Sequence, residues 1–408
     1  MTETVTITGL GHSGDGIAEG SDGPIYVPLT LPGEKVAIDR QGNRGRVLEI
    51  LAASPDRVRP LCRHFGECGT CALEHMSPSA YLAWKRGLVV SAFRQRGLDP
   101  PVEAIVPIAP GSRRRAVFSA LNTGREVLLG YHRRGTHDIV SLTECAVLVP
   151  AIVGKLHMLR QLARLVLRPG KPARVTVLAA DNGLDIAIAD AAKPNRATLE
   201  ALARFAGDAE IARLTVDGSD ILVARRPELK AGNATLFPVP GGFVQAAGPA
   251  ENAMAAAVLA HVGEAGSVAD LFAGIGTFSL RLAAHARVTA VEGDAALLAA
   301  LAEATRFSRG IKPVTTRKRD LFLNPLSPPE LDAFDAVVFD PPSGGAKSQS
   351  EALARSSVAT IVAVSCNPAT LARDARILVD GGYRLTTVLP VDQFLFSAEV
   401  EAVAAFRR

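Results

Sequence analysis

A chain of 408 residues is too long for one compact core and divides into two or three domains, and 48% hydrophobic with 21% charged residues makes it globular throughout. A net charge of +4 permits a polyanionic partner without requiring one, because local clustering matters more than the sum. The start, Met1-Thr-Glu-Thr-Val-Thr-Ile7, lacks the positive end and apolar core of a signal peptide, and no apolar run is long enough to span a bilayer. A cytoplasmic monomer without a membrane partner is therefore expected, with cysteines that are reduced, metal-bound or catalytic.

Residues 1–55 read as a small β unit. Thr4–Thr8, Ile25–Val27 and Lys35–Ile38 are short β-rich runs, punctuated by Gly9, Gly11, Gly14, Gly16, Gly20, Gly23 and Pro32-Gly33. Close spacing of short strands predicts a barrel of the OB type, a frequent nucleic-acid platform. Residues 56–235 are mixed and predict an α+β domain. They open on Cys62-Arg-His-Phe-Gly-Glu-Cys68-Gly-Thr-Cys71, a Cys-x5-Cys-x2-Cys cluster, and contain one further cysteine, Cys145. Three clustered thiolates plus a distant fourth suit a zinc ion or a [4Fe–4S] cluster; the pattern alone does not separate the two.

A helix is predicted over Ser79–Gln95. Two strand-like runs then carry basic triplets, one through Arg113, Arg114 and Arg115 and one ending in His132, Arg133 and Arg134 beside Tyr131. Such clusters are usually solvated faces, but beside a metal site they predict a phosphate-binding surface. A helix over Ala151–Val166 and strands over Arg174–Leu178, Leu184–Ala189 and Arg213–Val216 complete this part.

Residues 236–408 alternate strand and helix, which indicates a doubly wound parallel sheet. The strands are Val268–Phe272, Val288–Val291, Ala336–Phe339 and Ile361–Val364; helices are predicted over Ala253–Ala260, Thr277–Ala284, Ala295–Ala304 and Ala369–Leu378. In such sheets ligands bind at the carboxyl ends of the strands. The first strand runs into the glycine turn Asp270-Leu-Phe-Ala-Gly-Ile-Gly-Thr-Phe278, and Glu292 ends the next. A turn without the third glycine of a dinucleotide fingerprint, followed by a strand-end acid for ribose hydroxyls, favours S-adenosylmethionine over a nicotinamide. Asp320 follows a third run, Val314-Thr-Thr316, at the expected adenine edge.

Two further strand ends carry Asp340-Pro-Pro-Ser343 and Ser365-Cys-Asn-Pro-Ala-Thr370. A thiol at a strand end, unlike one in mid-strand, can attack something bound there. Carbon methylation of a pyrimidine needs such a thiol, because C5 becomes nucleophilic only after a thiolate adds to C6, and it needs a carboxylate to take the C5 proton afterwards. Cys366 supplies the first, and Glu401, on another apolar stretch, is the candidate for the second. The helix after Cys366 is expected to lower the thiol pKa through its N-terminal amides.

These residues resemble the RNA uracil-5 methyltransferases, specifically the subgroup with an N-terminal TRAM domain and an iron–sulfur cluster that modifies 23S ribosomal RNA. The likeness covers nearly the whole chain and is most specific at Ser365-Cys-Asn-Pro-Ala-Thr-Leu-Ala-Arg-Asp374. It also runs through Gly11–Ala18, Leu31–Val36, the four cysteines, Phe243-Val-Gln245 and Asp392-Gln-Phe394. The resemblance implies a TRAM-like barrel over 1–55, an iron–sulfur and RNA-binding domain over 56–235, and a Rossmann-like methyltransferase domain over 236–408. It further implies Cys366 as nucleophile, Glu401 as base, and Gln245, Phe272, Thr277, Glu292, Asp320 and Asp340 around S-adenosylmethionine. Cys62, Cys68, Cys71 and Cys145 would hold a [4Fe–4S] cluster, and the partner would be ribosomal RNA, with transfer RNA as the alternative. Where the family pattern has Asn, Asn, Arg and His, this chain has Ala247, Thr277, Ser343 and Glu399. These departures bear on substrate geometry more than on reaction type, because Cys366 and Glu401 both remain. Their retention also argues against a non-catalytic RNA-binding factor on the same fold.

Overall fold

The computed structural model describes residues 2–208 and 211–408. Thr2–Leu10, Gly16–Gly20, Gly23–Val27, Lys35–Gln41 and Arg44–Ala52 close into a five-stranded barrel. Alternation sends Ile7, Ala18, Ile25, Val27, Val36 and Ile38 into its interior. The second and fifth strands have no β-rich run and were not predicted. A Cβ on Gly16 would lie 2.0 Å from Thr30 Oγ1, so this glycine serves close approach within a strand rather than a turn.

A seven-stranded sheet follows, in the order Ser219–Val223, Arg213–Val216, Gly183–Ala189, Pro172–Ala180, Arg115–Asn122, Val127–His132, Ile139–Ser141. Leu156, Leu159, Leu162 and Val166 of one helix pack on Phe118, Leu129 and Val175. The helix predicted over Ala151–Val166 is two pieces, Pro150–Val153 and Leu156–Val166, divided at Gly154-Lys155 where glycine weakens helix propagation.

The last sheet has the order Val314–Lys318, Arg287–Glu292, Ser267–Leu271, Ala336–Phe339, Thr360–Ser365, Glu401–Arg407, Arg384–Val391. Both faces are covered. Val337 and Phe339 enter one core, Ala336 and Val338 the other, so these strands read as continuous apolar runs. The first five strands are parallel, but the sheet is not parallel throughout, because Glu401–Arg407 runs antiparallel to both neighbours. The last two strands are joined by a short loop with no crossover helix, and such a connection makes an antiparallel pair. This reversal pairs Ser365 with Ala402, which starts the final strand beside the end of the cysteine strand.

Helix Pro78–Arg94 precedes the central sheet in sequence yet packs on this one. Its Val89, Ala92 and Phe93 share a core with Leu271, Phe339 and Leu371. No helix among the described residues is long and apolar enough to cross a membrane.

Candidate active site

The carboxyl ends of the parallel strands open into a cavity of about 630 Å³, within the ordinary range for small-molecule sites. Gln245, Phe272, Thr277, Glu292, Asp320, Asp340, Cys366 and Glu401 all line it. Residues spread over more than 150 positions of sequence thus converge on one space.

At the glycine turn, Phe272 has a φ of 60°, a strained conformation for a residue with a side chain. Gly276 has a φ of 97°, and a Cβ there would stand 2.3 Å from Leu301 Cδ1, so helix Ala295–Phe307 packs directly on the turn. Glu292 braces it: Oε2 accepts from Gly274 N at 3.0 Å, and Oε1 accepts from Gly293 N at 2.7 Å and Asp294 N at 2.9 Å. Asp320 Oδ1 likewise accepts from Phe322 N at 2.9 Å. Backbone amides occupy only part of each carboxylate, which leaves lone pairs toward the cavity. The Phe272 and Phe322 rings lie 5.3 Å apart beside these acids, an apolar edge next to two acceptors. Beneath the turn, burial pushes the Asp270 carboxyl up to about 7, opposed by a hydrogen bond from Ser279.

At the other end, Cys366 directly follows strand Thr360–Ser365. Asn367 caps the next helix, Pro368–Asp380, accepting from Ala369 N at 3.0 Å and Thr370 N at 3.4 Å. Asn367 Nδ2 and Thr370 Oγ1 donate to Ser343 O, which ties the Asp340–Ser343 loop to the cysteine turn. The expectation of a lowered thiol pKa is overturned. Asn367 takes the helix amides, and burial, then Glu401 and Asp340, push the Cys366 thiol up to about 12. Without a ligand Cys366 keeps its proton at neutral pH.

Glu401 is buried, and burial and Asp340 push its carboxyl well above the ordinary range, against a hydrogen bond from Gln393. Asp340 is pushed up to about 7 by burial, against a hydrogen bond of 3.0 Å from Gln245 Nε2. Gln393 Nε2 donates to Glu401 Oε1 at 3.0 Å and to Gln245 Oε1 at 2.7 Å. The sequence offered Asp392-Gln-Phe394 as a motif but no role for Gln393.

The segment between Asp392 and Glu401 is held from outside the sheet. Buried Lys85 ion-pairs with Asp392 and donates to Phe394 O at 3.0 Å. Tyr81 OH donates to Asp392 Oδ1 at 2.8 Å and accepts from Phe396 N at 2.8 Å. Ala72 N and Leu73 N, just after Cys71, both donate to Phe396 O. Sequence reasoning missed Tyr81 and Lys85. The signal was present: Tyr81, Lys85, Leu88, Val89 and Ala92 form one helical stripe, so Lys85 stands among core positions.

Cys62, Cys68, Cys71 and Cys145 line one small cavity, with Tyr131 and Glu74. Among the described residues no group of three or more His, Cys, Asp or Glu converges closely enough to hold a single metal ion. Burial raises the Cys71, Cys145 and Cys62 thiols, and Glu74 and the neighbouring thiols raise Cys71 further. Four soft thiol donors around one pocket fit an iron–sulfur centre by donor chemistry.

The arginine surface is smaller than expected. Arg114 donates to Glu251 Oε2 at 2.6 Å and Gln245 O at 3.2 Å, and Arg115 donates to Gly242 O at 3.0 Å. Both are spent joining the central sheet to the catalytic one. Arg113 lies over the Phe394 ring, Arg134 bonds Asp15 of the barrel at 2.6 Å, and Arg133 stays half-exposed, 3.8 Å from Glu67.

No family model matches the chain. It is 49% identical over 413 residues to a Rhizobium meliloti protein described as an uncharacterized RNA methyltransferase, covering all of both chains. It is 33% identical over 428 residues to the 23S rRNA (uracil(1939)-C(5))-methyltransferase RlmD of Alkalilimnicola ehrlichii, covering 99% of this chain and 96% of that one. Among solved structures, the Pyrococcus abyssi tRNA (uracil-54, C5)-methyltransferase in complex with S-adenosyl-L-homocysteine shares its fold. The TM-score is 0.77 at 20% identity, over 99% of each chain. With relatives this similar along its whole length, and a strand-end cavity of this construction, the chain belongs to the RNA methyltransferases.

Proposed function

We propose that the protein makes 5-methyluridine in 23S ribosomal RNA through a covalent bond between Cys366 and C6 of the uracil. The observation that carries this reading is the convergence of Cys366 and Glu401 at one end of the cavity whose other end is the glycine turn. S-adenosylmethionine, when bound, supplies a methyl carbon on a positively charged sulfonium. Glu292 and Asp320 would accept from its hydroxyls and amine, with Phe272 and Phe322 against its ring and Gln245, Thr277 and Asp340 along the cavity. A cation brought beside Cys366 offsets the burial and the two acids that hold its proton on.

With the cation bound, the Cys366 thiol releases its proton to solvent, to be regained once the ligand leaves. The thiolate forms a bond to C6, and the C5–C6 π pair moves toward O4 as an enolate. C5 then uses that pair to take the methyl carbon, whose former bond pair stays on the departing sulfur. Glu401 removes the C5 proton, the C5–H pair restores the double bond, and the C6–S bond breaks with its electrons on Cys366. One proton is lost per turnover, through Glu401. Glu401 must be ionised for that step, so its raised carboxyl predicts a rate that climbs with pH over a range above the ordinary carboxylate one.

Ribosomal RNA is favoured over transfer RNA because the relative at 33% identity bears that activity in its name. The barrel and the half-exposed Arg133 supply an RNA-facing surface. Cys62, Cys68, Cys71 and Cys145 would hold a [4Fe–4S] cluster. The test is nucleoside mass spectrometry of ribosomal and transfer RNA from cells with and without the gene. It is paired with trapping on RNA containing 5-fluorouridine, whose fluorine cannot leave as a cation. Absence of a covalent adduct with fluorinated substrate RNA that the protein demonstrably binds would refute the mechanism and the assignment of Cys366.

A further inference from the structure

The geometry points to Gln393 as the residue that positions Glu401 for proton removal, an inference that rests on the covalent reading above. Gln393 is 2% exposed and lies behind the 630 Å³ cavity rather than in its lining. Its two amide protons are both used, one on Gln245 Oε1 at 2.7 Å and one on Glu401 Oε1 at 3.0 Å. Gln245 passes the chain on to Asp340 Oδ2 at 3.0 Å. Two amides therefore span two acids, Asp340–Gln245–Gln393–Glu401. In this arrangement Gln245 donates to Asp340 and Gln393 donates to both Gln245 and Glu401, while Gln393 Oε1 is buried without a partner.

The consequence falls on Glu401. Gln393 occupies Oε1, while Oε2 is buried without a partner. No other hydrogen bond to this carboxylate is present among the described residues. Gln393 thus restrains the rotation of the carboxylate through Oε1 and leaves Oε2 as its unbonded oxygen. It touches the base and not the reacting atoms, which makes it a positioning residue.

The experiment compares the full-length wild type with Gln393→Leu, which removes the donor at similar volume, and Gln393→Glu, which keeps the shape and replaces donor with acceptor. The substrate is unmodified ribosomal RNA transcribed in vitro, and the same transcript made with 5-fluorouridine. A misaligned base should lower kcat by about ten- to a hundredfold and the apparent KM for RNA along with it, leaving kcat/KM unchanged, because the slowed step follows covalent capture. Addition and methyl transfer precede the Glu401 step. Both variants should therefore accumulate a covalent protein–RNA complex on ordinary uridine and trap the fluorinated transcript at the wild-type rate. Wild-type turnover in both variants would overturn the inference, as would an equal loss of trapping and turnover, which is what a merely structural residue would produce. If the leucine variant does not fold, the isosteric glutamate variant carries the test. Failure of the wild type itself to trap fluorinated RNA is a separate result: it removes the covalent reading, and the inference with it.

Discussion

Lys85→Met should be among the most damaging substitutions outside the cavity. Lys85 and Asp392 are each wholly buried, and their ion pair anchors the segment that ends in Glu401. Burial pushes the lysine down and the aspartate up, and each partner opposes the shift of the other. Removing the lysine leaves Asp392 with Tyr81 as its remaining side-chain donor, while Asp392 Oδ2 already has none. The aspartate then either stays charged without a counter-ion or takes a proton. Protonating a carboxyl of ordinary pKa at pH 7 costs about 4 kcal/mol, from three units at ~1.4 kcal/mol each. That agrees with about 3–5 kcal/mol for breaking a buried pair.

The single tryptophan, Trp84, lies on the same helix, so its fluorescence in urea reports this part of the molecule. The double variant Lys85→Met/Asp392→Leu removes both charges and should recover most of the loss. The pH dependence has a definite sign. Unpaired Asp392 has a raised folded pKa, so the single variant's deficit against wild type should shrink as pH falls from 7 toward 4. A loss below about 1 kcal/mol, or a double variant no more stable than the single, would refute the argument.

Other outcomes follow from the same geometry. Asp270 has a folded pKa of about 7, above its unfolded value, so its share of stability is present below pH 4 and lost as pH rises to 7. Asp270→Asn should flatten part of that slope in urea titrations of the ligand-free protein, leaving the shares of Asp340, Asp392 and Glu401, whose carboxyls are also raised. Gly276→Ala should weaken S-adenosylmethionine binding in calorimetry, because the added carbon collides with Leu301 and the backbone is left-handed. Cys366 in ligand-free protein should react with iodoacetamide at pH 8 about a thousandfold more slowly than free cysteine, measured on its peptide by mass spectrometry. Anaerobically purified protein should hold about four irons per chain, and Cys68→Ser should lose them; stoichiometric zinc in the undamaged protein would count against the cluster.

The candidate site was legible in the sequence because its residues sit where a repeating architecture puts them. A buried parallel strand announces itself as a short apolar run, and its last residue faces the crevice. Asp340 and Cys366 could be placed by counting to a strand end, and Glu292 and Asp320 likewise. Glu401 was less secure on residues alone, because it stands at the start of a strand. It reaches the same end of the sheet only through the antiparallel reversal, which apolar periodicity does not encode. The barrel shows the complementary failure: Gly16–Gly20 and Arg44–Ala52 carry glycine and charge, and they are strands because neighbours pair with them.

What sequence did not supply is the electrostatic setting, and the arginines show why. Arg113, Arg114 and Arg115 are adjacent, so a charge count treats them alike. In the fold Arg114 bonds Glu251, Arg115 bonds backbone carbonyls, and Arg113 lies over Phe394. The same holds at Cys366, where a helix start was expected to acidify the thiol. Helix amides act on a neighbour only if nothing nearer takes them, and Asn367, the residue that makes the motif recognisable, is what takes them. Burial, Glu401 and Asp340 then push the thiol the other way. In the reaction proposed above, the raised Cys366 thiol predicts an order of events set by charge, with the sulfonium binding before Cys366 attacks. Cys366 alkylation should accordingly quicken with sinefungin, a cationic analogue, and stay slow with neutral-sulfur S-adenosylhomocysteine; equal rates with both would show that charge does not control the thiol.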